Sequence, residues 1–380
     1  MSFSSLGLSA PLLQAIAGQH YARPYPIQEQ AIPAILAGHD VLGIAKTGSG
    51  KTAGFVLPIL QRLQTTQPNR SRAISTLVLV PTRELAGQIA DVFQAFAADL
   101  PRRVKTVAVY GGVSINPQMM ALQGADVVVA TPGRLLDLLS ENALTLAGVS
   151  TLVLDEADKM LELGFADEMN ELFDRLPARR QTLLFSATLG DAIQAMDQRL
   201  LRKPVKIEVT NDVTSLDLIQ QIAYRTSAER KGPLLRYLIK EGAMRQVLVF
   251  VSSTRTADNV VVKLNKNGIQ AAAIHSQKGQ QARNEVLARF KAGRLPVLVS
   301  TDLLARGIDI QFLPHVINLE LPRSPKDYVH RIGRTGRAES PGEAISLITP
   351  DDEHHFKIIQ KKMGRRVEIL DTDEFNLQGV

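Results

Sequence analysis

The chain of 380 residues contains no cysteine. It therefore cannot form a disulfide, use a thiol nucleophile or hold zinc through thiolates, and its composition fits the reducing cytoplasm. Tryptophan is absent as well, and aromatic residues make up only 5%, so base recognition by aromatic stacking is a weak expectation. There is no run of about 18 apolar residues, so no transmembrane helix is predicted. The start, MSFSSLGLSAPLLQ, lacks the basic and long apolar regions of a signal peptide.

The charge balance is only mildly basic. Lysine and arginine number 44 against 38 aspartate and glutamate residues, which gives a net charge of +6. This excess is compatible with a polyanionic partner but does not require one. Because few aromatic residues are available for stacking, such a partner is expected to be recognised through its backbone.

Apolar runs of strand length alternate with segments of helical period along almost the whole chain. In the first half, TLVLV, ADVVVA and STLVLD are separated by amphipathic stretches such as RELAGQIADVFQAFAADL. This alternation is typical of a parallel sheet that is covered by helices on both faces. We therefore predict an α/β fold.

One break in this alternation divides the chain. Residues 202–221 contain a proline, several polar residues and no strong helical period, and the alternation resumes with QVLVFVS. Together with the length of the chain, the break predicts two α/β domains in tandem. The predicted ranges are 1–205 for the N-terminal domain, 206–217 for the linker, 218–370 for the C-terminal domain and 371–380 for a short tail.

The segment DVLGIAKTGSGKT places a glycine-rich loop between a short strand and a helix. Gly48 and Gly50 allow the backbone N–H groups to face phosphate oxygens at a helix N-terminus. Lys51 can then reach the β and γ phosphates, and the Thr52 hydroxyl can bind Mg²⁺. Ala45 stands where the usual pattern has its first glycine. The alternative is a plain glycine-rich turn followed by a surface lysine.

Three carboxylates follow the apolar strand STLVLD directly: Asp155, Glu156 and Asp158. In phosphate-loop ATPases a second strand delivers an aspartate to the Mg²⁺ shell. Asp155 is placed for this role, and Glu156 can orient and deprotonate the attacking water. The alternative is a helix N-terminus that carries acidic residues for electrostatic reasons alone.

In the second half, YVHRIGRTGRAE spaces Arg331, Arg334 and Arg337 three residues apart, with glycines between them. Arginines that meet a nucleotide across a cleft stabilise charge on the transferring phosphoryl group. A basic patch that contacts only a polyanion backbone would show the same spacing. The segment STDLLARGIDI, which contains Asp302 and Asp309, fits either a switch region or an ordinary turn.

Taken in order, these motifs resemble the DEAD-box family of ATP-dependent RNA helicases, within superfamily 2. The match runs from Phe3 to about residue 350 and comprises YPIQ, AKTGSGKT, PTRELA, GG, TPGR, DEAD, SAT, LVFVSS, QQAR, STDLLARGID and HRIGRTGR. One such motif could be chance, but this many in the family's order is specific. The segment ELPRSPKDYVHRIGRTGRA, followed by GEAISL, is most similar to bacterial E-type RNA helicases.

The resemblance implies two tandem RecA-like domains, of which the first binds ATP. It implies an RNA-dependent ATPase that binds RNA backbone in an interdomain cleft and locally unwinds or remodels short duplexes, with low sequence specificity. The implied cofactors are ATP and Mg²⁺, and the implied partner is single-stranded or short duplex RNA. Ribosome-assembly or RNA-decay proteins are candidate protein partners, no membrane is involved, and the location is cytoplasmic.

The resemblance also implies roles for individual residues. The nucleotide contacts would come from Phe3, Tyr21, Gln28, Thr47, Gly48, Ser49, Gly50, Lys51, Thr52, Gly307 and Asp309. The catalytic groups would be Lys51, Asp155, the general base Glu156 and the arginine fingers Arg334 and Arg337, with Thr52 and Asp155 at the metal. Coupling would use Asp158, Ser186, Thr188 and His330. RNA would contact Thr82, Arg83, Gly112, Thr131, Arg134, Thr254, Arg255 and Thr301.

Four further positions depart from the usual pattern of the family. Lys46 stands where glutamine is frequent, His20 and Ser276 where glycine is usual, and Tyr25 where threonine is common. The departures bear on the adenine pocket and on ATP affinity, not on the residues assigned to chemistry.

Three rival functions are compatible with parts of the sequence. The first is an ATP-gated RNA clamp with little unwinding, and the second is a DNA-directed translocase of superfamily 2. The third is a metabolic phosphotransferase, which would have no use for a second domain carrying HRIGRTGR.

Overall fold

The computed structural model describes residues 2–19, 21–45, 48–67, 72–209, 219–302, 313–336, 342–372 and 375–377. The chain divides into two compact units, Met1–Thr210 and Asn211–Val380, called here the first and the second unit. Each unit contains a seven-stranded sheet, and the paired strands run parallel. Within the described residues, no helix has the length and apolar character that a membrane crossing needs.

In the first unit the sheet has the order β3-β4-β2-β5-β6-β1-β7. Its strands are β1 (Val41–Ile44), β2 (Thr76–Leu79), β3 (Thr106–Val109), β4 (Val127–Ala130), β5 (Thr151–Leu154), β6 (Gln181–Ser186) and β7 (Val205–Glu208). Its helices are α1 (Ala10–Gly18), α2 (Pro26–Leu36), α3 (Lys51–Leu63), α4 (Arg83–Ala97), α5 (Asn116–Leu122), α6 (Pro132–Ser140), α7 (Ala157–Glu162), α8 (Ala166–Asp174) and α9 (Asp191–Leu200), and a 3₁₀ turn covers Phe3–Leu6.

The first sheet has an apolar core on each face because its central strands are buried on both sides. One core packs Phe55 of α3 and Phe93 of α4 against Val78 and Val153. The other packs helices α6 to α9 against the intervening strand residues, Leu152 among them. Since all strands are parallel, the loops after β1, β5 and β6 leave the sheet at one edge.

The second unit repeats the architecture in the order β10-β11-β9-β12-β13-β8-β14. Its strands are β8 (Ile219–Arg225), β9 (Val247–Val251), β10 (Ala271–Ile274), β11 (Val297–Thr301), β12 (His315–Asn318), β13 (Gly342–Ile348) and β14 (Glu368–Asp371). Its helices are α10 (Lys231–Glu241), α11 (Thr254–Lys266), α12 (Gln280–Lys291), α13 (Pro325–Ile332) and α14 (Glu353–Met363), and a 3₁₀ turn covers Pro350–Asp352.

The predicted α/β class, with mostly parallel sheets between helices, is confirmed in both units. Two details differ from the predicted ranges. Strand β7 pairs with β1 and ends at Glu208, so the first residues assigned to the linker belong to a sheet. Strand β14 includes Asp371, and the Phe375 ring packs on Tyr237 at 5.3 Å between centroids, so the predicted tail contacts the second unit. The domain boundaries otherwise stay a prediction.

Candidate active site

The phosphate loop leaves the carboxyl end of β1 and leads into α3. Gly48 and Gly50 have φ angles of 86° and 84°, in the left-handed region that favours glycine. The Ala45 N–H donates to the Ser186 carbonyl at 3.0 Å, which fixes the start of the loop to β6. Lys51 is buried, and its Nζ donates to the Ala45 carbonyl at 2.7 Å. The ammonium group is therefore held inside the loop, where phosphate oxygens would replace a carbonyl as its partner.

The acidic cluster lies at the end of β5, on the same edge of the sheet. Asp155, Glu156 and Asp158 are 3, 6 and 7% exposed. Burial raises the pKa of the Asp155 carboxyl to about 6, and the positive charge of Lys51 opposes that rise. The predicted metal ligand and the predicted phosphate-binding lysine are therefore close enough for the charge of one to act on the other.

Glu156 occupies a strained position. Its φ angle is 53°, in the left-handed region that residues other than glycine, asparagine and aspartate seldom adopt. Its N–H donates to Asp155 Oδ1 at 3.0 Å, and its Oε1 lies 3.5 Å from Lys159 Nζ. Its second carboxylate oxygen, Oε2, is buried and has no hydrogen-bond partner among the described residues. A strained residue with an unsatisfied buried acceptor is typical of a functional site.

The residues present fit a divalent cation bound together with a triphosphate. Ser49 Oγ, in the loop, is buried without a partner among the described residues, like Glu156 Oε2. Mg²⁺ usually takes one or two protein oxygens and fills the remaining positions with water and phosphate. The described residues contain no cluster of three His, Asp or Glu side chains that could bind a metal alone. Asp155 and Thr52 are the side chains that would hold the ion.

The segment after β6 joins the acidic cluster to the phosphate loop. Thr188 Oγ1 donates to Asp158 Oδ2 at 3.1 Å, and Ser186 Oγ donates to the Thr188 carbonyl at 2.8 Å. The structure thus brings together the three first-unit residues predicted to couple hydrolysis to strand separation. Their coupling role stays a prediction.

Gln28 is fully buried and touches the phosphate loop directly. Its Nε2 donates to the Gly50 carbonyl at 2.9 Å, and its Oε1 accepts the Tyr25 N–H at 3.0 Å. Sequence reasoning assigned Gln28 to adenine and missed both contacts. Tyr25 is the N-cap of α2, and Gln28 follows it by three residues, at the position of the glutamine in a capping box. This spacing is the signal that indicates the contact between Gln28 and the Tyr25 N–H.

The other residues predicted beside the adenine form an aromatic group next to α4. Phe3 is buried, and its ring centroid lies 6.4 Å from that of Tyr21, which in turn lies 5.4 Å from Phe96. Edge-to-face packing of this kind holds the N-terminal segment against the first unit. Whether these rings also pack near a base stays a prediction.

The five residues predicted to contact RNA in the first unit follow β2, β3 and β4 at the same edge of the sheet. Thr82 is the N-cap of α4, and its side chain accepts the Leu85 N–H at 3.3 Å. Gly112 has a φ angle of 75°, and a Cβ added there would lie 2.1 Å from Arg83 Nη1. The Arg83 guanidinium group therefore lies against Gly112, whose positive φ angle favours glycine.

Arg134 and Thr131 are positioned by α6. Thr131 is the N-cap of the helix and is buried. Arg134 donates from Nη2 to the Val113 carbonyl at 2.9 Å and from Nε to Asp137 Oδ2 at 3.2 Å. Arg134 Nη1 is buried without a partner among the described residues. The glycine turn after β3 and the arginine of α6 are thus in contact.

In the second unit, Arg331 is an internal structural residue. It is 2% exposed, and its guanidinium binds both carboxylate oxygens of Asp302, at 2.5 and 2.8 Å. It also donates to Asn318 Oδ1 and to the Glu320 carbonyl, and it lies 4.9 Å from the centre of the Phe250 ring. The even spacing of the three arginines does not distinguish Arg331 from Arg334 and Arg337, because the partners of Arg331 are distant in sequence.

Of the remaining second-unit residues, Thr254, Arg255 and Thr301 lie at the carboxyl edge of that sheet, whereas the Arg334 carbonyl accepts the Leu313 N–H at 2.9 Å, just before β12 begins. Thr254 and Arg255 begin α11 after β9, and Thr301 ends β11. Arg334 follows α13 and is buried, and His330 lies in the last turn of α13. The positions of four predicted residues lie outside the described part of the chain: Thr47, Gly307, Asp309 and Arg337. The same holds for the departures Lys46 and His20.

Comparison with known proteins identifies the family. Residues 25–196 match the DEAD/DEAH box helicase family, and residues 230–339 match the helicase conserved C-terminal domain. The chain is 38% identical to the RNA helicase RhpA of Helicobacter pylori, over 99% of this chain and 75% of the relative. It is 41% identical to CshA of Streptococcus pneumoniae, over 97% of this chain and 70% of the relative. The chain belongs to the DEAD-box family of ATP-dependent RNA helicases.

Solved DEAD-box structures share the fold of this helicase. Dbp5 of Saccharomyces cerevisiae, bound to RNA and ADP BeF₃, is 31% identical, with a TM-score of 0.85 over 98% of this chain and 96% of that one. A DEAD box protein from Methanococcus jannaschii is 34% identical, with a TM-score of 0.55 over 97% of this chain and 99% of that one. The two parallel sheets with surrounding helices are the tandem RecA-like domains of the family. The narrower resemblance to E-type bacterial helicases stays a prediction.

Proposed function

We propose that this DEAD-box helicase hydrolyses ATP with Mg²⁺ at the carboxyl edge of the first sheet, and that the cycle separates short RNA duplexes. The observation that carries the proposal is a buried acid, Asp155, at the end of β5, on the same edge of the sheet as the buried ammonium group of Lys51. Asp155, with a pKa raised to about 6 by burial, is costly to keep ionised in that position. A divalent cation supplies the charge that compensates it.

Lys51 is proposed to bind the β and γ phosphates. In the structure its ammonium donates to a carbonyl of its own loop at 2.7 Å. A phosphate oxygen is a stronger acceptor, because it carries a negative charge that attracts the ammonium group and the carbonyl oxygen does not. We infer that the side chain exchanges one partner for the other when ATP binds.

Glu156 is proposed to act as the general base. The contact with Lys159 engages Oε1, while Oε2 is left for a water molecule. A general base must lie within hydrogen-bond reach of the proton that it abstracts. Mg²⁺, when bound through Asp155 and Thr52, would neutralise the charge that develops on the phosphates.

RNA is proposed to bind through its phosphates and 2′-hydroxyls, with little dependence on base sequence. The contact between Arg83 and Gly112, beside the turn that Arg134 binds, supports this. Arg334 and Arg337 are proposed as arginine fingers, Gly307 and Asp309 as nucleotide contacts, and His330 as a link between the domains. These assignments rest on the family resemblance.

The wider setting is proposed as well. The predicted domain ranges, a cytoplasmic location, and ribosome-assembly or RNA-decay proteins as partners remain proposals. A lack of cysteine supports the reducing compartment.

The test is ATPase activity with RNA, with DNA and with no nucleic acid, for the wild type and for Glu156→Gln. We expect RNA-dependent turnover that the substitution lowers by at least about 100-fold, the order expected for loss of a general base, while ATP binding is retained. Turnover that is indifferent to RNA, or to the loss of Glu156, would refute the mechanism.

The same preparation distinguishes the rivals. Displacement of a strand from a short RNA duplex separates a helicase from an ATP-gated clamp, which would bind RNA without displacing a strand. ATPase stimulation by DNA that equals stimulation by RNA would favour a DNA-directed translocase instead.

A further inference from the structure

A cluster of positive charge lies at the C-terminal end of α14 and contains none of the residues assigned above. Residues 357–366, KIIQKKMGRR, contain five basic residues and no acidic one. The chain as a whole has a net charge of only +6. These ten residues therefore account for nearly all of the excess, which raises the question of what they bind.

The packing of α14 turns this charge outward. Phe356 and Ile359 are fully buried, and the Phe356 ring lies 5.9 Å from the ring of Tyr328. Lys357 and Lys361, on the opposite side, are exposed. The apolar face anchors the helix on α13 and the basic face is left to solvent.

The end of the helix brings the last two arginines back beside these lysines. Gly364 has a φ angle of 70°, and the Arg365 N–H donates to the Gln360 carbonyl at 3.3 Å, which is the bond of a Schellman turn. The Gln360 side chain accepts the Val367 N–H at 2.8 Å and closes the turn. The result is a cavity of about 340 Å³, lined by Lys357, Gln360, Lys361, Gly364, Arg365 and Arg366.

Helix electrostatics explain only part of the cluster. Cations in the last turn interact favourably with the helix dipole, which accounts for Lys361 and Lys362. Lys357 lies before that turn and four residues from Lys361, a spacing at which like charges repel by roughly 0.2–0.5 kcal/mol.

The acidic residues at the start of α14 and at the end of β14 pair with cations outside the cluster. Glu353 and Asp371 pair with Arg225, at 2.8 and 3.1 Å, and Asp352 pairs with Lys231 at 3.0 Å. Among the described residues, no carboxylate forms an ion pair with Lys357, Lys361 or Arg366. The charges of these three residues are therefore not paired with a carboxylate within the described part of the second unit.

We propose that this cavity binds backbone phosphates of RNA at a second site, which rests on the RNA helicase activity of the family. Strand β13 leads to α14, and β14 then runs parallel to β8, so the end of α14 lies at the amino edge of the sheet. Thr301 and the start of α11 lie at the carboxyl edge. Seven residues of β13 separate the two edges by about 23 Å, so RNA reaches both only if it extends several nucleotides beyond the first site.

The lining of the cavity favours RNA over a membrane or a protein as the partner. Its lining is polar and basic, and among residues 357–366 only Ile358, 41% exposed, is an exposed large apolar side chain, whereas membrane-binding and protein-binding sites place several apolar contacts next to their charges. Lysine and arginine without aromatic residues bind phosphate irrespective of base. The site would therefore raise affinity for long RNA without adding sequence specificity.

The experiment compares the full chain with the triple variant Lys357→Gln, Lys361→Gln, Arg366→Gln. Dissociation constants are measured against salt for a long single-stranded RNA and for an oligonucleotide that fills one site only. Each phosphate contact to a single strand contributes about 0.7 to the salt slope, so the slope for long RNA should fall by about 2. If the variant and the wild type bind long RNA equally at roughly 1 M salt, the variant should bind it about 100-fold more weakly at roughly 0.1 M.

A matched control carries the same loss of charge on other exposed lysines of the second unit: Lys240→Gln, Lys263→Gln, Lys266→Gln. The control should retain the wild-type slope, and both variants should retain thermal stability. ATPase activity of the cavity variant with saturating short RNA should equal that of the wild type. Since that readout tests the proposed function by itself, a failure of the second site and a failure of the helicase mechanism are distinguishable.

Three results would overturn the proposal. The first is a long-RNA affinity and slope of the cavity variant that match the control. The second is an equal loss for short RNA, which would place these residues in the first site. The third is unchanged RNA binding together with lost binding to anionic phospholipid vesicles, which would assign the surface to a membrane. Photo-crosslinking of 4-thiouridine RNA to residues 357–366 is the expected independent result.

Discussion

Replacing Asp155 by asparagine should stabilise the free protein while it abolishes ATP hydrolysis. Burial raises the pKa of this carboxyl from 3.8 to about 6. A shift of about two pKa units corresponds to about 3 kcal/mol, by which the ionised form is disfavoured in the folded state. Asparagine keeps an oxygen that can accept the Glu156 N–H, now bonded at 3.0 Å, and it removes the buried charge.

The sign of the effect depends on pH. Below about pH 4, Asp155 is protonated in both the folded and the unfolded state, so the wild type and the variant should differ little. Between about pH 4 and 6 the folded state holds a proton that the unfolded state has released, so the wild type loses stability as the pH rises. Above about pH 6 the advantage of asparagine should be constant at about 3 kcal/mol.

Urea unfolding followed by far-ultraviolet circular dichroism measures this difference, since the chain has no tryptophan for fluorescence. Asp99→Asn, at an exposed position, is the control and should show no such gain. Excess ATP with Mg²⁺ should raise the stability of the wild type more than that of Asp155→Asn. A variant that is no more stable than the wild type at pH 7 would refute the reasoning.

Two further substitutions test other parts of the structure. Arg331→Met leaves the Asp302 carboxylate without its partner and should lower the free energy of unfolding of the second unit by about 3 kcal/mol. Exposed Arg323→Met is its control in the same urea titration, and equal stability of the two would contradict the internal role of Arg331. Gly112→Ala should displace Arg83 and weaken RNA binding several-fold, at a stability cost of about 1 kcal/mol. Gly111→Ala, whose Cβ meets no atom within 4 Å, should bind RNA normally, and equal affinities would refute the contact.

Sequence patterns predicted the fold and the main site well because both depend on local periodicity. Parallel strands with buried runs place their following loops at one edge, which is sufficient to bring Lys51, Asp155 and Thr188 to the same region. The residue types then indicate the chemistry, because a lysine, two carboxylates and a glycine loop have few other common uses.

What sequence could not predict depends on contacts between distant residues. Gln28 binds a carbonyl 22 residues away, and Arg331 binds an aspartate 29 residues before it. Neither partner is marked by spacing or composition. The left-handed backbone of Glu156 was also not predicted, because glutamate has no preference for that conformation. Residues 206–208 were predicted to be part of the linker, but they belong to strand β7, which pairs with β1.

The two adjacent acids at the end of β5 both occupy positions that the folded chain would fill better with other residues. Asp155 is buried as a charge, and Glu156 has a φ angle of 53°, which asparagine or glycine adopts at lower cost. A library screened for heat resistance alone would therefore enrich substitutions at 155 and 156 early. Laboratory evolution of a more robust enzyme from this chain needs selection for ATP turnover in every round, since the most available gains in stability lie within the catalytic centre.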